Sequence, residues 1–220
     1  MALKLISSSS NKSWLVDLAK YICTIIEQRK IWFAGDELSN VVSHLFKKAP
    51  DETWNVFEQA IEAADTSGRY NLITFLGRSG NRFDHSTSPL WLLPEKTFRN
   101  WIERNQNLVP ILLNEISLYT VETDADDSQT FHWHPYAFIL LSEGTDEESL
   151  KRELMRNLYS FGSIGSRVPY LQKRRELLKE LEASGEHKLM RVAKPLIQWI
   201  DEEIERTRRE ELNEEVTHGF

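Results

Sequence analysis

A single cysteine in 220 residues, Cys23, leaves the chain without an internal disulfide or a thiolate metal cluster. That usage fits a reducing compartment. No apolar run approaches the roughly 18 residues that a membrane-spanning helix requires. Near the start, Lys4 is followed only by Leu5-Ile6 before four serines, too little apolar sequence for a secretory leader. The expectation is a soluble, cytoplasmic protein without a membrane partner. Basic residues are also in deficit: 27 Lys and Arg against 34 Asp and Glu give a formal charge of -7. The chain as a whole therefore does not attract phosphate, and nucleic acid is not its default partner. Missing too are the Gly-x-x-x-x-Gly-Lys-[Ser/Thr] phosphate loop, Gly-x-Gly-x-x-Gly, the Gly-x-Ser-x-Gly elbow and His-Glu-x-x-His, so no catalytic residue or cofactor is assigned from motifs.

What is present is a globular composition, 40% apolar and 10% aromatic with seven tryptophans. Apolar residues recur at intervals of three and four, the helix period, without sustained strict alternation. One segment runs from about Ser13 to Arg29 and a second from Asp36 to Lys48, stopped by Pro50; the two are read as a pair. Asp51 is placed as the N-cap of a helix carrying Trp54, Phe57 and Ile61 that ends at Ser67-Gly68, and a short helix follows through Tyr70, Ile73 and Leu76. Residues 77–89 read as a loop. Pro94 and Pro110 suit the first turns of the next two helices, the second carrying Leu112, Leu113, Ile116 and Tyr119. Glu122 to Thr130 reads as an acidic loop, and Pro135 opens a helix through Phe138, Ile139 and Leu141. Thr145 and Glu148 have capping-box spacing ahead of Leu150, Leu154 and Leu158. Pro169 opens a helix that stops at Ser184-Gly185. The last helix contains Pro195, which predicts a kink near Lys194.

These segments form about five hairpins, near residues 12–49, 51–79, 94–120, 134–160 and 166–212, a period characteristic of an α-solenoid. The expected fold is all-α: antiparallel helical hairpins stacked as a short α-solenoid. Expected organisation is a flexible N-terminus over 1–12, one helical-repeat domain over 13–206 with a subdivision at 77–93, and a charged tail over 207–220. In the last hairpin, Glu176-Leu-Leu-Lys-Glu-Leu-Glu-Ala-Ser184, a short turn, then Val192-Ala193 and Leu196-Ile197 resemble a HEAT repeat. His134-Pro135, Phe161-Gly-Ser-Ile-Gly-Ser166 and the charged final helix are similar to the helical C-terminal regions of large bacterial multidomain proteins linked to nucleoside triphosphatases in conflict and defence. The resemblance covers about half the chain. It implies a sensor, scaffold or oligomerisation role and transfers no catalytic residue.

Local clusters supply the candidate sites. Lys151, Arg152, Arg156, Arg167, Lys173, Arg174 and Arg175 are opposed between 151 and 175 only by Glu153. They are candidates for contact with a protein partner or phosphate, and for self-association with the acidic last helix. His132 and His134, two apart on an extended chain, point the same way and would share a metal if Asp124, with Asp126 and Asp127, completed the set; histidine capping or packing is the better reading. Gly162 and Gly165 with Arg167 are weighed as an anion nest against an interhelical turn. Asp84, His85, Arg78 and Arg82 are weighed as an acid-base cluster against polar surface. Trp14, Trp54, Trp101 and Trp199 are assigned to core packing, Trp32 and Trp91 to partner contact, and Cys23 to inert core. The functional expectation is a non-catalytic protein-interaction or scaffold module. A nucleic-acid accessory protein using the 151–175 face is the alternative, and a metal-dependent hydrolase the more remote one.

Overall fold

The computed structural model describes residues 12–28, 35–77, 88–123, 129–143, 146–159 and 166–218. The chain falls into two compact units, 1–117 and 118–220. This division lies C-terminal to the 77–93 stretch. The first unit contains α1 (Lys12–Glu27), α2 (Gly35–Lys48), α3 (Pro50–Ala63), α4 (Thr66–Gly77), a 3-10 turn (Pro89–Leu92), α5 (Glu95–Arg104), a second 3-10 turn (Gln106–Leu108) and α6 (Val109–Glu115). The second contains strands β1 (Tyr119–Thr123) and β2 (Gln129–Trp133), then α7 (Pro135–Glu143), α8 (Glu147–Tyr159), α9 (Val168–Ala183) and α10 (His187–His218). The described chain is thus all-α apart from one two-stranded sheet. No described helix is long and apolar enough to cross a membrane.

In the first unit α1 buries Leu15, Ala19, Ile22, Cys23 and Ile26, and it rests chiefly on α3 and α4, only marginally on α2. The expected pairing of the first two helices is corrected accordingly. The apolar stripe of α2 turns instead to α3, where Phe46 meets Phe57 at 5.7 Å between ring centroids. Trp54 on α3 and Trp101 on α5 pack edge to face at 5.1 Å, both almost wholly buried. Local caps hold the ends. Asp65 Oδ1 accepts the Gly68 amide at 2.7 Å and so caps α4, an interaction of about 0.5–2 kcal/mol. Arg69 Nε donates to the Ile61 carbonyl near the end of α3. Asp51 lies inside the first turn of α3, whose N-cap is Ala49 with no side-chain bond, because Pro50 already starts the helix.

The helix opened by Pro110 stops at Glu115, still in the first unit, and in the second unit Tyr119 begins a strand, against expectation. β1 and β2 are antiparallel, with Tyr119 opposite Trp133 and Val121 opposite Phe131. Tyr119, Phe131 and Trp133 are buried while Glu122, Thr130 and His132 face outward. The alternation is genuine but short. It spans five residues on either side of an acidic tip, so helix-period windows average across it. Trp133 Nε1 donates to the Leu177 carbonyl at 2.7 Å and ties the hairpin to α9. Asp146, not the undescribed Thr145, supplies the cap seen at α8, its Oδ1 accepting the Ser149 amide at 2.9 Å. α10 continues through Pro195 as one helix to His218. Thr207 is buried and Glu211 bonds to the start of α9, so the expected solvated tail remains packed at least that far.

A sequence interval recurs within both units. Lys12 pairs with Glu52, Asn71 with the Glu27 carbonyl, Arg104 with Glu58 and Tyr70 with Glu115, separations of 40, 44, 46 and 45 residues. In the second unit, Trp133 with Leu177, Ser142 with Glu186, Glu147 with Arg191, Tyr159 with Glu203 and Arg167 with Glu211 all lie 44 apart. Two contacts at one interval fix direction: Glu147–Arg191 and Tyr159–Glu203 make α8 and α10 parallel. Trp54–Trp101 and Glu58–Arg104 do the same for α3 and α5.

Candidate interaction surface

The basic stretch is concentrated on α8 and α9. On α8, Leu150, Leu154 and Leu158 bury one stripe, so Arg152 and Arg156 project on another face, one turn apart. Between them Glu153 is only 5% exposed. Its Oε1 accepts Arg152 Nε at 3.0 Å and its Oε2 accepts Arg156 Nη1 at 3.1 Å. Two cations therefore share one carboxylate. Beside them Met155 is exposed. With Tyr159, Leu171, Leu196 and Trp199 it lines a narrow apolar cleft between α8, α9 and α10.

At the far end of α8 a polar seam replaces the apolar one. Tyr159 packs its ring edge-on to Trp199 at 5.2 Å and donates its hydroxyl to buried Glu203 at 3.0 Å. Arg167 donates to the Tyr159 oxygen at 2.6 Å and lies over its ring. Arg206 completes the group on Glu203. Glu211 then accepts the Arg167 amide and the Ser166 hydroxyl, placing a carboxylate at the positive start of α9.

The three cations of α9 part company. Lys173 lies over the Phe131 ring at 5.6 Å. Arg175 pairs with Asp201 and Glu176. Arg174 is only 2% exposed, donates to the Tyr119 hydroxyl at 3.0 Å and stacks against Tyr119 and Phe131. This corrects its assignment to an outer, partner-contacting face. Position 174 falls on the Leu171, Leu177, Leu178, Leu181 stripe, where its guanidinium lies within cation–π distance of the stacked Tyr119 and Phe131 rings, 5.7 and 5.6 Å from their centroids. Burial lowers the pKa of Arg174 and the Tyr119 oxygen opposes that shift.

No protein-family model, curated protein or solved structure matches this chain.

The two histidines separate in role. His132 is outward on β2, its Nε2 3.9 Å from Glu122. His134 is half-buried at the start of α7, where its Nδ1 accepts the Tyr136 amide at 3.3 Å. That occupies one nitrogen as a cap. Among the described residues no group of three or more metal-type side chains converges, and Asp124, Asp126 and Asp127 lie outside those residues. Burial depresses the His134 pKa to about 4, and a helix N-terminus further disfavours a cation there. The unfolded ring titrates near the usual 6.5, so the stabilising difference is complete above pH 6.5 and is lost as pH falls from 6.5 toward 4. We expect wild type to lose about 2 kcal/mol more than His134→Asn, which keeps a capping acceptor, between pH 7 and 4.5. Urea unfolding at both pH values measures this, and parallel curves would refute it.

Of the remaining candidates, Gly162, Gly165, Arg78, Arg82, Asp84, His85 and Trp32 lie outside the described residues. Cys23 is buried, and its thiol is pushed up to about 12, chiefly by desolvation. Trp54 and Trp101 are core, and Trp199 is half-buried. Trp91 is buried, packing on Phe98 at 5.8 Å, which corrects its assignment to partner contact: the 3-10 turn directs the ring inward. Trp14, assigned to the core, is 38% exposed at the rim of the α1 stripe. The Tyr159–Glu203 seam was not found from sequence. Its only signal was the replacement of apolar by polar residues at 203, 207 and 211 along a stripe that remains buried through 207.

Proposed function

We propose that the chain is a HEAT-like helical-repeat module that binds other proteins and performs no chemistry of its own. The observation carrying this reading is the 44–47-residue interval joining parallel helices, which falls in the range of HEAT and armadillo repeats. Stacked repeats present an extended surface in place of an enclosed site. The contact surface proposed is the outer face of α8 with the neighbouring cleft rim: Arg152, Arg156 and Met155 beside Tyr159 and Trp199. Arginine, methionine and aromatic rings are the side chains enriched at protein interfaces. Because Arg152 and Arg156 share a single carboxylate, an acidic segment with an apolar anchor is the fitting partner.

Cross-linking mass spectrometry on the full chain in its native lysate tests this. One partner is expected to cross-link through Lys151, and Arg152→Glu/Arg156→Glu should abolish that cross-link while leaving circular dichroism unchanged. A partner retained by the double variant would overturn the assignment of this surface. The nucleic-acid alternative predicts oligonucleotide binding that weakens steeply with salt. Such binding, lost in the same variant, would replace the protein-partner reading. The hydrolase alternative predicts stoichiometric bound metal with an activity lost in His132→Ala.

A further inference from the structure

The inward stripe of α10 changes chemistry part-way along the helix. Leu189, Val192, Ala193, Leu196 and Ile200 are apolar and at most 2% exposed. From 203 the stripe continues as Glu203, Thr207 and half-buried Glu211, with Ile204 as its last buried apolar side chain among the described residues. This end is seated on α8 and the start of α9 through polar groups. Tyr159 donates to Glu203 at 3.0 Å, Ser166 Oγ to Glu211 Oε2 at 3.0 Å and the Arg167 amide to Glu211 Oε1 at 3.3 Å, while Arg175 pairs with Asp201. From Asp201 to Glu211 six carboxylates stand among three arginines, around Ile204. That is an acidic segment with an apolar anchor, the chemistry proposed above for the partner.

We infer that α10 from Asp201 onward is an autoinhibitory strap, an internal acidic segment that holds the α8 surface closed until an acidic partner segment displaces it. The inference rests on the proposed function and names its regulation. Tyr159 couples the two, because its hydroxyl lies in the seat of the strap and its ring forms the cleft rim against Trp199 at 5.2 Å. While Glu203 holds the hydroxyl, the ring stays across the rim. Release lets the ring turn, and Arg167, which donates to the same oxygen at 2.6 Å, meets the incoming carboxylate instead. The strap is releasable because water replaces polar bonds at small net cost, whereas nothing in solvent replaces the apolar contacts of Leu196 and Ile200.

Hydrogen exchange on the full chain is the first test. Glu203→Gln/Glu211→Gln should speed exchange over 203–213 at least about tenfold and leave 189–200 unchanged, a response that a merely frayed helix end would not give. If that variant loses protection throughout, Tyr159→Phe, which keeps the ring and removes the donor, takes its place. The second test is a fluorescently labelled peptide with the sequence of residues 199–212, added in trans. It should bind the double variant at least about tenfold more tightly than wild type, because more of that protein is in the open, competent state, and adding Arg167→Glu should abolish the gain. Exchange that does not respond to the variant, or peptide binding equal in the two proteins, would overturn the strap. With both results as expected, a lysate in which no protein cross-links through Lys151 would overturn the proposed partner alone.

Discussion

Trp101→Ala is expected to cost about 3–5 kcal/mol of unfolding free energy, the range for deleting a large buried aromatic side chain. Trp101 is 1% exposed and meets Trp54 edge to face at 5.1 Å, joining α3 to α5. Both rings are fixed by helix backbone, so the lost indole leaves a void that neighbours fill only in part. The aromatic pair adds about 0.5–1.5 kcal/mol beyond its buried area. In urea the unfolding midpoint should drop by about 1–2 M at an ordinary slope. Trp101→Phe separates the contributions, because it keeps an aromatic edge while removing the indole N–H, which has no hydrogen-bond partner where it is buried. The phenylalanine variant should therefore lose distinctly less, and equal losses would show that packing shape, not cavity volume, governs this position.

The second large effect is expected at Trp133. Its ring is 7% exposed, packs edge-on to Phe138, and its N–H donates to the Leu177 carbonyl. Alanine here removes packing and a buried hydrogen bond together, for about 3–5 kcal/mol, and leaves a strand hairpin that is marginal without a partner surface. Phenylalanine keeps most of the ring and leaves the Leu177 carbonyl without this donor, a cost of about 1–3 kcal/mol. Hydrogen exchange distinguishes the roles. Amides of β1 and β2 should lose protection in Trp133→Ala well before those of α10 do, and uniform loss would argue against the hairpin being held through this side chain.

Much of the helix content was legible because apolar residues at three- and four-residue spacing both define a helix and mark the face it buries, as with Leu150, Leu154 and Leu158. The β-hairpin was not. Tyr119 to Trp133 alternates for only five residues on each side, and Tyr119 also fits the helical spacing that Ile116 continues, so local pattern alone favours the wrong element. Side-chain direction was legible only where a residue had one role. Arg174 reads as one of seven cations between 151 and 175, and nothing local announces that Tyr119, 55 positions away, gives its guanidinium a buried hydrogen bond. Trp91 fails likewise: its nearness to a helix boundary is visible, but the inward rotation of a 3-10 turn is not. Of the candidate surface, the cations on α8 were visible as charge, whereas their shared carboxylate and adjoining cleft depend on how three helices assemble.

The 44-residue interval acts as a ruler on what evolution can insert or delete. A residue added in the turn at Ser184 to Glu186 is absorbed there, but one added inside α10 between Arg191 and Glu203 would rotate one part of the helix by about 100° against the other. Arg191 and Glu203 could then no longer face Glu147 and Tyr159 together. Relatives that share this pairing should hold the lengths of the paired helices nearly constant even where their residues have diverged, and should vary in length in the turns that join them.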